Sequence, residues 1–349
     1  MFRTVSVSML WVVVLGIIGS EPAHARYRYG QYTQGGSASG FFVFGEGLIT
    51  NPRNVDAVVA TVETLENFGG GQNQLFQVNP TWGEDLAGRL GFGYGWATGN
   101  RVSLTLWGFS ADQSAQGSGP PGGATYFAIG PPIRTGSSYA GAQGSPGSYS
   151  IGTEVEAGTA DVAFSREETL SESFTLEWSL GLRYASYEER SSGFYDEAAL
   201  GSGTFGLNSF AADKRIESEM FGVRAAFRGS YRFTQSFSVD GGLGFAFLDG
   251  EQVASSGLTP TGLTNSATTP SSFVSFVDDS RSGATWNVDL TISWWVVDEA
   301  VRLWAGWEQQ VWETLTVDLV RNLPGTVAPL TERDSVAFSG YKIGVFVRF

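Results

Sequence analysis

The last residues of the chain, Lys342-Ile343-Gly344-Val345-Phe346-Val347-Arg348-Phe349, alternate in character, carry a glycine in the middle and stop on an aromatic. Successive side chains of a strand point to opposite faces. Tyr341, Ile343, Val345, Val347 and Phe349 therefore share one face, while Gly340, Lys342, Gly344 and Arg348 take the other. One face is apolar and the other is polar or small. Almost every later strand repeats the split, with aromatics at its ends. A soluble sheet would turn the apolar side to a core, but so many strands of this kind suit a closed ring whose outside touches lipid and whose inside touches water. The expected fold class is all-β: a transmembrane, antiparallel, up-and-down barrel.

Ten strands are expected, with 8 or 12 as alternatives. They lie near Ser39–Ile49, Asp85–Trp96, Arg101–Ala111, Thr153–Ser165, Phe174–Tyr184, Glu219–Arg232, Phe237–Leu248, Thr285–Val297, Val301–Trp312 and Ser335–Phe349. The facing of the first is ambiguous and the fourth alternates weakly. The third breaks the pattern, because it sets Trp107 and Phe109 on the inner face. Turn signals at Ala97–Asn100, Glu167–Ser173, Phe233–Ser236 and Val297–Ala300 recur at a regular interval. Long Gly/Ser/Thr/Pro-rich segments separate them, and Gln113–Tyr149 and Ala254–Ser272 carry no clear structure of their own. Short connections at one end and long ones at the other are the asymmetry of outer-membrane barrels. One connection differs: Val55, Val58, Val59, Val62 and Leu65 follow Asn51-Pro52 and Asn54 at helical spacing, which predicts a short helix near 54–66.

Residues 1–25 read as a secretory signal, with Arg3, an apolar run from Met9 to Ile18, and Ala23-His24-Ala25 as cleavage site. Residues 26–38 are then a periplasmic lead and 39–349 the barrel. Sec-type export followed by insertion into a bacterial outer membrane is the expected route. Lys342, Gly344, Val347 and Phe349 match the C-terminal signal read by barrel insertion machinery.

The balance of 21 basic against 35 acidic residues gives a net charge of −14, which argues against nucleic acid as a partner. Absence of cysteine excludes disulfides, thiolate metal sites and a lipoprotein anchor. The one histidine, His24, falls in the signal, so the mature chain lacks the base of a His-assisted serine or His/Asp mechanism. No enzymatic activity and no cofactor are expected. Neighbouring carboxylates such as Asp278-Asp279 and Glu188-Glu189 point to opposite faces and read as solvated. Gly91, Gly93 and Gly95 mimic part of a phosphate loop, but period two inside a strand makes them small inward side chains.

Charges on the inner face are the functional candidates. Arg224, Arg228 and Arg232 form a stripe at four-residue steps, roughly 13 Å apart. Arg89, Arg183, Arg302, Lys342 and Arg348 join them, with Glu177, Asp240, Asp289 and Glu308 as counter-charges. A mid-plane arginine facing lipid costs about 2 to 4 kcal/mol, so these must line water or pair with each other. A barrel of about 8 strands is filled by its own side chains, whereas 16 to 18 leave an open channel. Ten strands with many inward glycines suggest a narrow, charge-lined passage, and a salt-bridged core that conducts nothing is the other reading.

Asp161-Val162-Ala163-Phe164 leading through Phe174 to Ala185, then Phe221 to Ala226, Leu303 to Glu308 and Phe338-Ser339-Gly340, together resemble the Legionella-type major outer membrane protein family of pore-forming barrels. The resemblance runs from about Arg89 to Phe349, outside the loops, and implies porin-like transport with no catalytic residue. Passive passage of small solutes or ions is thus the expected function. The alternative is a non-conducting surface barrel, an adhesin or structural envelope protein. The expected partners are outer-membrane lipid, the insertion machinery and small solutes or ions.

Overall fold

The computed structural model describes residues 39–53, 60–64, 74–78, 82–118, 126–129, 148–196, 206–264, 273–297, 300–313 and 335–349. Ten of its strands close into one antiparallel barrel: β1 (Gly40–Arg53), β4 (Asp85–Gly95), β5 (Asn100–Ser118), β7 (Ser148–Thr169), β8 (Phe174–Asp196), β9 (Gly206–Arg232), β10 (Phe237–Thr264), β11 (Phe273–Val297), β12 (Val301–Glu313) and β13 (Val336–Arg348). Each pairs with its neighbours in sequence, and β1 closes the ring by pairing with both β13 and β4. The register at the seam sets Phe42 against both Arg348 and Gly93. The Phe349 amide donates to the Phe41 carbonyl at 2.9 Å, so the last residue is tied into the seam. The signal at residues 1–25 and the lead at 26–38 lie outside the described residues.

The alternation that predicts the fold is realised in the facing. Tyr341, Ile343 and Phe349 are 69%, 62% and 64% exposed, while Lys342 between them is 2% exposed. Phe92, Leu180, Val223, Leu243, Leu290 and Ile292 continue the exposed apolar surface around the ring. A belt of large apolar side chains cannot face water at this density without driving association, so it is the lipid-contacting surface. Aromatics gather at its lower margin: Phe41, Tyr94 and Trp96 pack edge to face at 5.0 and 5.2 Å, and Phe233, Phe237 and Trp294 stack at 6.2 Å. Such rings sit where hydrocarbon gives way to headgroups.

The end bearing these aromatics carries the short turns. Trp96 and Asn100 close one hairpin with a 2.8 Å hydrogen bond, and Gly99 takes the positive φ of 82° that the turn requires. At the opposite end the wall is uneven. β7 to β11 are 22 to 28 residues long, against 11 to 14 for β1, β4, β12 and β13. A tilted strand crosses a bilayer in about 9 to 11 residues, so β7–β11 rise well beyond it. Part of the Gly/Ser/Thr-rich stretches expected as loops is therefore strand: 113–118 continues β5 and 254–264 continues β10. The wall there stands clear of the bilayer and needs no apolar lipid-facing side, so the amphipathic signal fades although the ladder continues, as from Leu248↔Gly283 to Leu258↔Phe273.

A separate three-stranded sheet joins β2 (Ala60–Thr64), β3 (Gln74–Val78) and β6 (Tyr126–Ile129) in the order β3-β2-β6. This corrects the helix predicted near 54–66. Residues 60–64 are strand; 54–59 and 65–66 lie outside the described residues. Val62 pairs with Phe76 and Phe127, and those distant partners outweigh the local valine spacing.

Candidate functional site

The lumen is layered. Nearest the turns, Arg302 lies over the rings of Trp295 and Trp304 at 5.2 Å and of Phe346 at 5.8 Å. Phe42 stacks on Phe346 at 5.5 Å. Asp240, wholly buried, accepts hydrogen bonds from Ser230, Ser238 and Ser293. Arg101 pairs with Glu177 at 3.1 Å and with Glu167.

Above this comes a belt of ion pairs. Arg89 reaches from β4 to Glu308 on β12 and to Glu46 on β1. Lys342 donates to Glu308 at 3.0 Å and Asp289 at 3.1 Å, and Asp289 also accepts from Arg228. On the other wall Arg183 grips Asp161 with two hydrogen bonds of 2.7 Å and donates to Thr285 at 2.9 Å. These are charge-assisted bonds; some join adjacent strands, and Arg89–Glu308, Arg183–Thr285, Lys342–Asp289 and Arg228–Asp289 join strands two or three places apart in the ring and hold its walls together.

The third layer is apolar. Trp107 on β5 lies 5.8 Å from Trp312 on β12 and 5.5 Å from Phe338 on β13, which also meets Phe109 at 5.1 Å. Leu48, Ala87, Val155, Tyr187, Met220, Leu248 and Val336 belong to the same cluster, to which nine of the ten strands contribute. β5 and β12 stand four places apart by the shorter way round a ring of ten. A ring-to-ring contact between them crosses the bore. Trp312 and Val336 have no exposed surface, so the layer is a plug. Beyond it lies a second polar level, in which Glu189 accepts from Lys214 at 3.2 Å and from the Tyr187 hydroxyl at 3.0 Å.

Of the residues predicted to line the lumen, Arg89, Glu177, Arg183, Arg224, Arg228, Asp240, Asp289, Arg302 and Glu308 all point into it. Arg232 stands at its mouth: it ends β9 beside the turn, is exposed, and lies 5.8 Å over the ring of Trp295 that Arg302 also covers, so it is outside the ion-pair belt. Lys342 of the C-terminal signal is a central cation of the belt, and Gly344 lies under Trp304, whose ring atoms stand 2.4 Å from where a Cβ would be. Inward glycines were expected to widen the bore. Instead Phe44 covers Gly91, Phe42 covers Gly93 and Trp304 covers Gly344, so aromatics of neighbouring strands take the space the glycines vacate. Sequence reasoning missed Glu46, Asp161 and Arg101. Glu46 sits on the strand of ambiguous facing, Asp161 on the weakly alternating one. The misfit of Trp107 and Phe109 was the visible signal of the plug.

Between the turns and the plug the lumen keeps a cavity of about 230 Å³. Its walls set the charged side chains among aromatics such as Phe42, Phe44, Trp304 and Phe346, and its more exposed charges are Arg228 and Glu177.

No family model matches the chain, and no curated protein does. Among solved structures it is similar to the outer membrane protease OmpT of Escherichia coli, at 8% identity over 91% of this chain and 99% of that one, TM-score 0.42. It is also similar to the outer membrane protein OprG of Pseudomonas aeruginosa, at 10% identity over 90% and 98%, TM-score 0.28. The toluene transporter TodX of Pseudomonas putida aligns at 9% identity over 89% and 90%, TM-score 0.25. At these values none of them transfers an activity to this chain.

Proposed function

We propose that this chain is a bacterial outer-membrane barrel whose lumen is closed at rest, and whose working surface is the tall polar wall above the membrane, as in an adhesin or structural envelope protein. The signal segment, the lipid-facing belt and the C-terminal strand ending on Phe349 support the location, with the short turns in the periplasm. The observation that carries the reading is the Trp107–Trp312 contact across the bore, backed by Phe338. In planar bilayers the folded wild-type protein is expected to give no discrete conductance steps, and Trp107→Ala with Trp312→Ala is expected to produce them. Steady, voltage-independent steps from the wild type would overturn it.

Porin-like passage of small solutes or ions is the second reading. It is favoured by the 230 Å³ charge-lined cavity inside the barrel, and by the resemblance of Phe174–Ala185 and Leu303–Glu308 to the Legionella-type pore-forming family. On that reading the plug moves, and wild-type conductance appears above a threshold voltage.

A further inference from the structure

The cavity is walled by six arginines and five carboxylates. Lys342, which donates into the belt, raises the cations to seven; Asp240 and Glu167, just outside the wall, raise the carboxylates to seven. The charges balance, but the hydrogen bonds do not. Asp161 receives both prongs of Arg183, which leaves Arg224 Nε 3.4 Å from that carboxylate and without a hydrogen bond. Asp240 is taken by three serine hydroxyls; Arg302 Nη1 stands 3.9 Å off, and its Nε too has no partner. Arg228 is a cationic neighbour of both, and with 37% of its side chain exposed it is the most open cation of the belt.

A guanidinium withdrawn from bulk water with an unmet donor is unfavourable until an acceptor arrives. Its planar fork matches two oxygens of one anion better than it matches a spherical ion. Of the other carboxylates facing the cavity, Glu46 is held by Arg89, Glu177 by Arg101 and Glu308 by Lys342, while Asp289 takes both Lys342 and one nitrogen, Nη2, of Arg228. The volume holds several waters at ~30 Å³ each, or one compact oxyanion with water. We propose that Arg224, Arg228 and Arg302 form a binding site for a small oxyanion of the phosphate or carboxylate class, entered from the short-turn end. The site lies below the plug, so it exists whether or not the barrel conducts.

The test is calorimetric titration of the detergent-folded protein with inorganic phosphate and, separately, with acetate, against chloride at equal ionic strength. Folding of every sample is checked by its heat-dependent gel mobility. Phosphate or acetate is expected to bind with a Kd on the order of 1 mM, the affinity of a few charge-assisted bonds, and chloride at least ten-fold more weakly. R224Q/R302Q is expected to lose the binding and R232Q, at the rim, to keep it. R224K/R302K retains charge without the fork and is expected to lose the preference over chloride. Absence of phosphate and acetate binding to folded wild type overturns the site by itself, as does undiminished binding in R224Q/R302Q. Conductance enters none of these outcomes, so failure here is separate from failure of the closed-lumen reading.

Discussion

The belt and the plug occupy adjacent levels of one lumen and close it by opposite chemistry. In the belt, Arg89, Lys342 and Glu308 are fixed by directional bonds, so removing one member strands the others as buried charges. In the plug, Trp107, Trp312 and Phe338 are held by contact area and ring geometry, and a truncated ring leaves a void. A polar level tolerates water and keeps a cavity, whereas an aromatic level excludes it. The comparison teaches that the belt braces the barrel by directional bonds, while the aromatic layer fills the bore by contact.

Five substitutions test that division and the surfaces around it. The largest effect is expected from Trp312→Ala, which removes a fully buried indole from the plug. It should lower unfolding stability in urea by about 4 kcal/mol and open conductance; stability loss without conductance would mean the belt seals as well. Glu308→Ala should cost about 3 kcal/mol, because Arg89 and Lys342 both donate to it, while leaving the bilayer silent; conductance from this variant would erase the distinction. Leu290→Arg, on the 57%-exposed outer face, should cost about 2 kcal/mol in lipid, and proportionally less in detergent; no cost in lipid would remove the claim that this surface meets hydrocarbon. Arg232→Gln, at the exposed mouth, should change stability by under about 0.5 kcal/mol, less than Arg302→Gln in the cage of Trp295, Trp304 and Phe346. Equal losses from the two would mean that the mouth position is held as firmly as the cage.

Much of the fold was legible because membrane strands write their facing into period two. Leu290 and Ile292 out, Asp289 and Thr291 in, can be read without coordinates, and so can the inward facing of Arg89, Arg183, Lys342 and Glu308. That Arg232 stands at the mouth and not in the ion-pair belt was not legible, because periodicity does not say where a strand leaves the barrel. The predicted helix failed because Val62 finds Phe76 and Phe127 only in three dimensions.

What the chain determined alone is the alternation and the sign of each wall. Those are local properties, set by neighbours one and two residues away. What only the tertiary structure decided is whether the bore is filled. Glu46 and Trp304, 258 residues apart, share a hydrogen bond, and Trp107 meets Trp312, because ring closure and register bring β1, β5 and β12 to face one another. No local pattern encodes which inward side chains meet across a lumen, since that depends on how ten strands stagger as they close.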